Sequence, residues 1–194
     1  VAPTAIVGGG DTVNEGSAYT LSVGPVVDPG ADTRSAYSID WGDGSTQNFT
    51  PAEWAAASGS FGHTYADGAS TPTITVSATD EDGTFTLGTK SLTVSNVIPT
   101  LALAGAASVD EGASYTLTLG AVTDPGTETV SQYVVDWGDG TSDTYAAAGD
   151  VTHVYADGAS TPTITVDLVD EDGTHTRSEE RRVGKECIEM CRSR

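Results

Sequence analysis

Apolar and polar positions alternate with period two along much of the chain. Tyr19, Leu21 and Val23 alternate with Ala18, Thr20 and Ser22. Tyr37, Ile39 and Trp41 alternate with Ser38 and Asp40, and Ile74, Val76 and Ala78 with Thr73, Thr75 and Ser77. That period predicts strands with one buried and one wet face. The breakers between them are Asp-Pro-Gly, Gly-Asp-Gly, Ala-Asp-Gly and Glu-Asp-Gly, in which Gly supplies positive φ and Asp closes the turn on its own backbone. Many short strands at this spacing predict a β-sandwich. One helix is predicted. Thr50 is its N-cap, Pro51 its first residue and Glu53 closes a capping box, with Trp54-Ala55-Ala56-Ala57 continuing it as far as Gly59.

The pattern occurs twice. Asn14-Glu15-Gly16, Asp28-Pro29-Gly30 and Asp40-Trp41-Gly42-Asp43-Gly44 recur 96 positions later as Asp110-Glu111-Gly112, Asp124-Pro125-Gly126 and Asp136-Trp137-Gly138-Asp139-Gly140. The run Tyr65–Val76 recurs unchanged as Tyr155–Val166, at an offset of 90. The second copy therefore lacks six residues, which map to the predicted helix; an indel there marks a surface loop. The domain reading is a first repeat over 1–96, a second over 97–176, and a tail over 177–194. Copy 1 closes with Leu92 and Val94 as its last strand, whereas nothing after Thr176 resembles that strand. Copy 2 is therefore expected to lack it.

Charge separates body from tail. Residues 1–176 carry 24 acids against two basic residues, Arg34 and Lys90, a net of −22. Nucleic acid and anionic lipid repel such a body, and cations are drawn to it. No apolar run is long enough to cross a membrane. The body has no Cys. Its Thr, Ser, Gly and Asp richness resembles bacterial surface repeats and not a disulfide-stapled domain. Both cysteines, Cys187 and Cys191, and Met190 lie in the tail. The tail's opening, Arg-Ser-Glu-Glu-Arg-Arg-Val-Gly-Lys-Glu-Cys, resembles the translation of a sequencing-library adapter. On that reading it is non-native, and the two cysteines are neither a metal nor a redox pair.

Three ordered motifs, each present twice, resemble the PKD (polycystic kidney disease-like) repeat family. They are the aromatic-Gly-Asp-Gly turn (Trp41–Gly44, Trp137–Gly140), His-x-Tyr (His63-Thr64-Tyr65, His153-Val154-Tyr155), and a Thr-Val strand running to Asp-x-x-Gly (Thr73–Val76 to Asp80–Gly83, Thr163–Val166 to Asp170–Gly173). The family often has Trp two positions before the aromatic of the turn. Ile39 and Val135 stand there, and the indole bulk sits one inward step later on the same face. The resemblance implies an all-β fold of two tandem immunoglobulin-like sandwiches. It also implies a non-catalytic module of a larger secreted or cell-surface protein: a spacer or adhesive repeat whose partners are neighbouring repeats, surface proteins or polysaccharide. The alternative is an accessory module of a secreted polysaccharide- or protein-degrading enzyme.

Calcium is the candidate ion, a hard cation that takes about 6–8 oxygens. Asp28 with Asp80 and Asp82, and Asp124 with Asp170 and Asp172, recur at turns that a sandwich can gather at one end. The family resemblance adds Asn96 to Asp124 and Asp170. Against this stands the plain reading, that these residues form Asx-turns and hydrate the surface. Asp43 and Asp139 are turn formers. His63 and His153 lack the further ligands a zinc site needs and take structural hydrogen bonds. Trp54 anchors its helix or offers a sugar-stacking face. Asn48-Phe49-Thr50 matches a glycosylation sequon. No nucleophile elbow and no phosphate-cradling loop appears.

Overall fold

The computed structural model describes residues 2–30, 33–127, 129–156, 160–182 and 184–186, with the backbone alone over 177–186. It divides into two compact units: Val1–Val97 with Pro125–Thr127, and Ile98–Asp124 with Glu128–Arg194.

Unit 1 runs β1 (Val7–Gly9), β2 (Thr12–Asn14), β3 (Ala18–Val23), β4 (Ala36–Asp40), β5 (Thr46–Phe49), α1 (Pro51–Ala57), β6 (Ser60–Thr64), β7 (Thr73–Thr79), β8 (Thr84–Ser91) and β9 (Thr93–Ser95). One antiparallel sheet has the order β1-β3-β6 and the facing one β5-β4-β7-β8, while β2 pairs with β9 in parallel. This is an immunoglobulin-like sandwich. The predicted alternation decides its interior. Tyr19, Leu21 and Val23 from one sheet meet Tyr37, Ile39, Ile74, Val76 and Ala78 from the other, all buried. Trp41, just past β4, is wholly enclosed. The helix forms where the sequence places it. Thr50 accepts from the Glu53 amide while Glu53 reaches back to the Thr50 amide, and Ser58 ends the helix in the left-handed region (φ 53).

Unit 2 repeats the plan with β10 (Thr100–Gly105), β11 (Ser108–Asp110), β12 (Ser114–Thr123), β13 (Gln132–Asp136), β14 (Ser142–Tyr145), β15 (Gly149–Val154), β16 (Thr163–Val169), β17 (Thr174–Arg182) and β18 (Gly184–Glu186). Its sheets are β10-β12-β15 and β14-β13-β16-β17, and β11 pairs with β18 in parallel. Leu101, Tyr115, Leu117 and Leu119 face Tyr133, Val135, Ile164, Val166 and Leu168 across the core. The six-residue deletion removes the helix and leaves a bend before β15.

One expectation is corrected. The second sandwich does not lack its last strand. β17 runs antiparallel to β16 well past Thr176, with a register break between Val166 and Leu168, and β18 lies along β11. The residues after Thr176 do not repeat the apolar side chains of copy 1's last strand, and pairing does not require them to. The ladder is made by backbone N–H and C=O groups, which pair with an extended segment whatever its side chains. Cys187, Met190 and Cys191 lie outside the described residues.

Candidate functional site

The most elaborate side-chain arrangement is built twice, once per unit, from the Trp-Gly-Asp-Gly turn and the His-x-Tyr strand. After β4 the chain must turn at once. Asp40 Oδ1 accepts the Gly42 amide at 2.9 Å, and Asp43 Oδ1 accepts the Ser45 amide at 2.9 Å. Gly42 has φ +79, and a Cβ there would meet the Thr73 carbonyl oxygen at 2.7 Å; Gly138, at φ +73, is barred in the same way by Thr163 at 2.3 Å. Both positions thus require glycine for conformation and for space.

That turn presents Asp43 to β6. His63 Nε2 meets Asp43 Oδ2 at 2.6 Å, the ring lies flat on the Trp41 indole (centroids 4.6 Å, 11° between planes), and its edge abuts Tyr65. The Tyr65 hydroxyl donates to the Trp41 carbonyl at 3.0 Å. Unit 2 repeats each contact: His153 to Asp139 at 2.8 Å, His153 on Trp137 at 4.7 Å and 11°, and Tyr155 to the Trp137 carbonyl at 3.1 Å. Burial alone would push Asp43 and Asp139 up. Hydrogen bonds from the Ser45 or Thr141 hydroxyl and from the histidine outweigh it, holding Asp43 below its ordinary range and Asp139 at about 2. Burial first, then the nearby Asp139 charge, push the Tyr155 hydroxyl up to about 12, so it stays a donor.

Ser45, His63 and Asp43 have the residue types of a hydrolytic triad but not its geometry. A carboxylate only accepts, so His63 carries its proton on Nε2 and directs it at Asp43. The Ser45 hydroxyl also donates to Asp43, at 2.6 Å, and lies 3.5 Å from His63 Nε2. A triad base must instead offer its lone pair to the nucleophile. Thr141 replaces Ser45 in unit 2 with the same bond to Asp139, at 2.6 Å. The arrangement is a lock between sheets.

The candidate calcium residues sit at the turns named for them, and Asp28, Asp80 and Asp170 already have internal partners. Asp80 Oδ1 accepts the Asp82 and Gly83 amides at 2.9 and 3.2 Å, and Asp170 Oδ1 accepts the Asp172 and Gly173 amides at 3.0 and 3.1 Å. Asp28 holds the Gly30 amide through Oδ1 and the Arg34 guanidinium through Oδ2, at 3.1 Å. In unit 2, where Val130 replaces Arg34, the His175 imidazole lies 2.7 Å from Asp170 Oδ2, whose side chain is wholly buried. Asn96 falls in unit 1, and Asp124, Asp170 and Asp172 fall in unit 2. Among the described residues, neither unit by itself brings three carboxylate or imidazole ligand atoms within 4.8 Å of one another. An ion bound through Asp28 Oδ2 or Asp170 Oδ2 would take the place of Arg34 or His175.

The sequence reading missed Glu81 and Glu171. Glu81 accepts the Thr33 amide at 3.1 Å and Glu171 accepts Thr129 at 2.9 Å, pinning the loop before β4 or β13 to the turn after β7 or β16. Their recurrence within Asp-Glu-Asp-Gly was the available signal. Trp54 anchors. It is stacked on Tyr37 (4.4 Å, 8°) and packed on Phe61 and Phe49, leaving its edge at the surface. Asn48 is exposed on edge strand β5, and the Thr50 hydroxyl is bonded to Glu53. No helix among the described residues is long and apolar enough to cross a membrane.

No family model and no curated protein matches this chain. Among solved structures it is similar to the fibronectin(III)-like modules of Clostridium thermocellum CbhA, at 16% identity over 97% of this chain and 98% of that one, with a TM-score of 0.36. It is also similar to the three N-terminal domains of the bacteriophage RB49 highly immunogenic outer capsid protein, at 14% identity over 96% of this chain and 59% of that one, with a TM-score of 0.35. The fold assignment stands on the strands and registers themselves.

Two predictions come from the lock. The Trp137 indole N–H donates to Asp143 at 2.8 Å, whereas the buried Trp41 indole N–H has no acceptor, and Gln47 occupies the matching register position. A buried unmet donor costs about 1–3 kcal/mol, so Gln47→Asp is expected to stabilise the protein by about 1 kcal/mol in urea unfolding. The Asp139 carboxyl is depressed from 3.8 to about 2. Its contribution is therefore complete above pH ~4 and is lost as pH falls towards ~2, and solvent screening at this exposed residue holds it to about 1 kcal/mol. Asp139→Asn should flatten the stability profile over that window; an unchanged slope in acid titration would contradict the assignment.

Proposed function

We propose that this chain is a non-catalytic structural repeat of a secreted or cell-surface protein, a load-bearing spacer that also meets neighbouring repeats, surface proteins or polysaccharide. One observation carries the reading. In unit 1 a strand near the start is paired in parallel with a strand at the end, β2 with β9. Tension applied through the two ends of a unit pulls such a pair along its length in opposite directions. Its hydrogen bonds are then loaded together in shear and not opened one after another. Glu15 N–H to Ser95 at 3.0 Å and Thr93 N–H to Asp11 at 3.0 Å bracket the unit 1 pair. Val94, 1% exposed, anchors it in the core.

Two further features support a structural role. Among the described residues, the arrangement with hydrolytic residue types ties the turn after the central strand to the facing sheet in each unit, and Asp40, Asp80, Asp136 and Asp170 hold backbone amides. The PKD resemblance of the three motifs accords with the same reading, as does the excess of acid, which suits extracellular, cation-rich surroundings. The tail 177–194 belongs to this proposal as a non-native segment. Calcium enters it as an optional stiffener at Asp28, Asp80 and Asp82 and at Asp124, Asp170 and Asp172, with Asn96.

Pulling single molecules by their ends tests the spacer reading. Thr93→Pro removes one clamp hydrogen bond and is expected to lower the unit 1 unfolding force; a force unaffected by it would place the load elsewhere. Calcium is tested by thermal unfolding. The expected result is a rise in midpoint beyond that in matched ionic strength, equivalent to about 2.7 kcal/mol at a hundredfold excess over the dissociation constant, and lost in the double variant Asp124→Ala/Asp170→Ala. A midpoint that tracks ionic strength alone would remove calcium from the proposal and leave the spacer intact.

A further inference from the structure

The two units share a plan but not the chemistry of their last strand. In unit 1, Leu87 of β8, Val94 of β9 and Leu92 between them enter the core, none more than 3% exposed. They lie beside β7, whose first four residues, Thr73–Val76, recur unchanged as Thr163–Val166 in β16. Ile74, Val76 and Ala78 are buried on one, and Ile164, Val166 and Leu168 on the other. The accepting side is therefore the same in both units.

The donating side differs. Val94 stands opposite Val13 in β2; at the same register position opposite Val109 in β11 stands Lys185. Between the pairs Ala78–Phe85 and Val76–Gly88, unit 1 reads Thr86-Leu87. Between Leu168–His175 and Val166–Glu179, unit 2 reads Thr176-Arg177-Ser178, one residue longer and without an apolar member. The sequence counterpart of Leu92 is Val183, which lies outside the described residues. Backbone pairing is thus met in unit 2, while two of the three apolar positions that seal unit 1 are filled by polar or charged residues.

We propose that the β16 and β11 side of unit 2 is a strand-accepting surface whose occupant is an extended segment with the pattern of Thr84–Asn96, carrying apolar residues where Leu87, Leu92 and Val94 stand. Unit 1 shows what covers this face. The ladder gives such a segment register, and the apolar residues give it preference over β17 and β18, because both competitors make the same backbone bonds. The incumbent strand has in its favour the tether, which raises its local concentration.

The test uses the full 194-residue chain and a fluorescently labelled synthetic peptide of residues Thr84–Asn96. Expected are saturable binding by polarisation and a gain in amide exchange protection over Thr163–Val169. A peptide carrying Leu87→Ser, Leu92→Ser and Val94→Ser should bind at least about tenfold more weakly. Absent binding, equal binding of the two peptides, or protection gained only over Thr73–Thr79 would each overturn the proposal.

Discussion

The sandwich in each unit depends on closing the turn after its central strand while the heaviest side chain of the core sits beside it. Trp41 and Trp137 are fully enclosed, yet the polar Gly-Asp-Gly turn begins at the next residue. Burying an indole next to solvated carboxylates works only if the polar groups are met locally. The histidine does this. One of its faces covers the indole and one of its nitrogens holds the turn's carboxylate, while the tyrosine two residues later caps the Trp carbonyl. A short polar bridge thus joins strands from the two sheets and leaves the apolar core dry.

The same logic governs the acids. A body with a net charge of −22 pays in self-repulsion, and the fold lowers that cost by giving carboxylates backbone amides. Asp40, Asp43, Asp80 and their counterparts Asp136, Asp139 and Asp170 each bind amides two or three residues on, and Glu81 and Glu171 reach across to another loop. The abundance of aspartate at turns is first a device for fixing loops. A metal would compete with bonds already made, and with Arg34 or His175.

The repeats also show how unequal two copies of one plan become. Unit 1 has a helix whose Trp54 extends an aromatic cluster of Tyr37, Phe49 and Phe61; unit 2 has lost it. Arg34 and Val130, Gln47 and Asp143, and Phe85 and His175 are paired positions at which the two units carry different chemistry: Arg34 meets Asp28, Asp143 meets the Trp137 indole and His175 faces Asp170.

Periodicity alone determined the strands, the buried positions and the tandem repeat, because alternation and turn chemistry are local and recur within the chain. The helix was legible for the same reason: its N-cap, proline and capping box lie within four residues. The partners of the site were not legible. That His63 would face Asp43, 20 residues away, that Arg34 would take Asp28, and that Glu81 would hold Thr33 depend on which loops two sheets bring to one end, and no local pattern encodes that. The last strand of unit 2 marks the boundary most clearly. Its side chains argued against a strand, and the free backbone edge of β16, present only once the sheet has formed, made one.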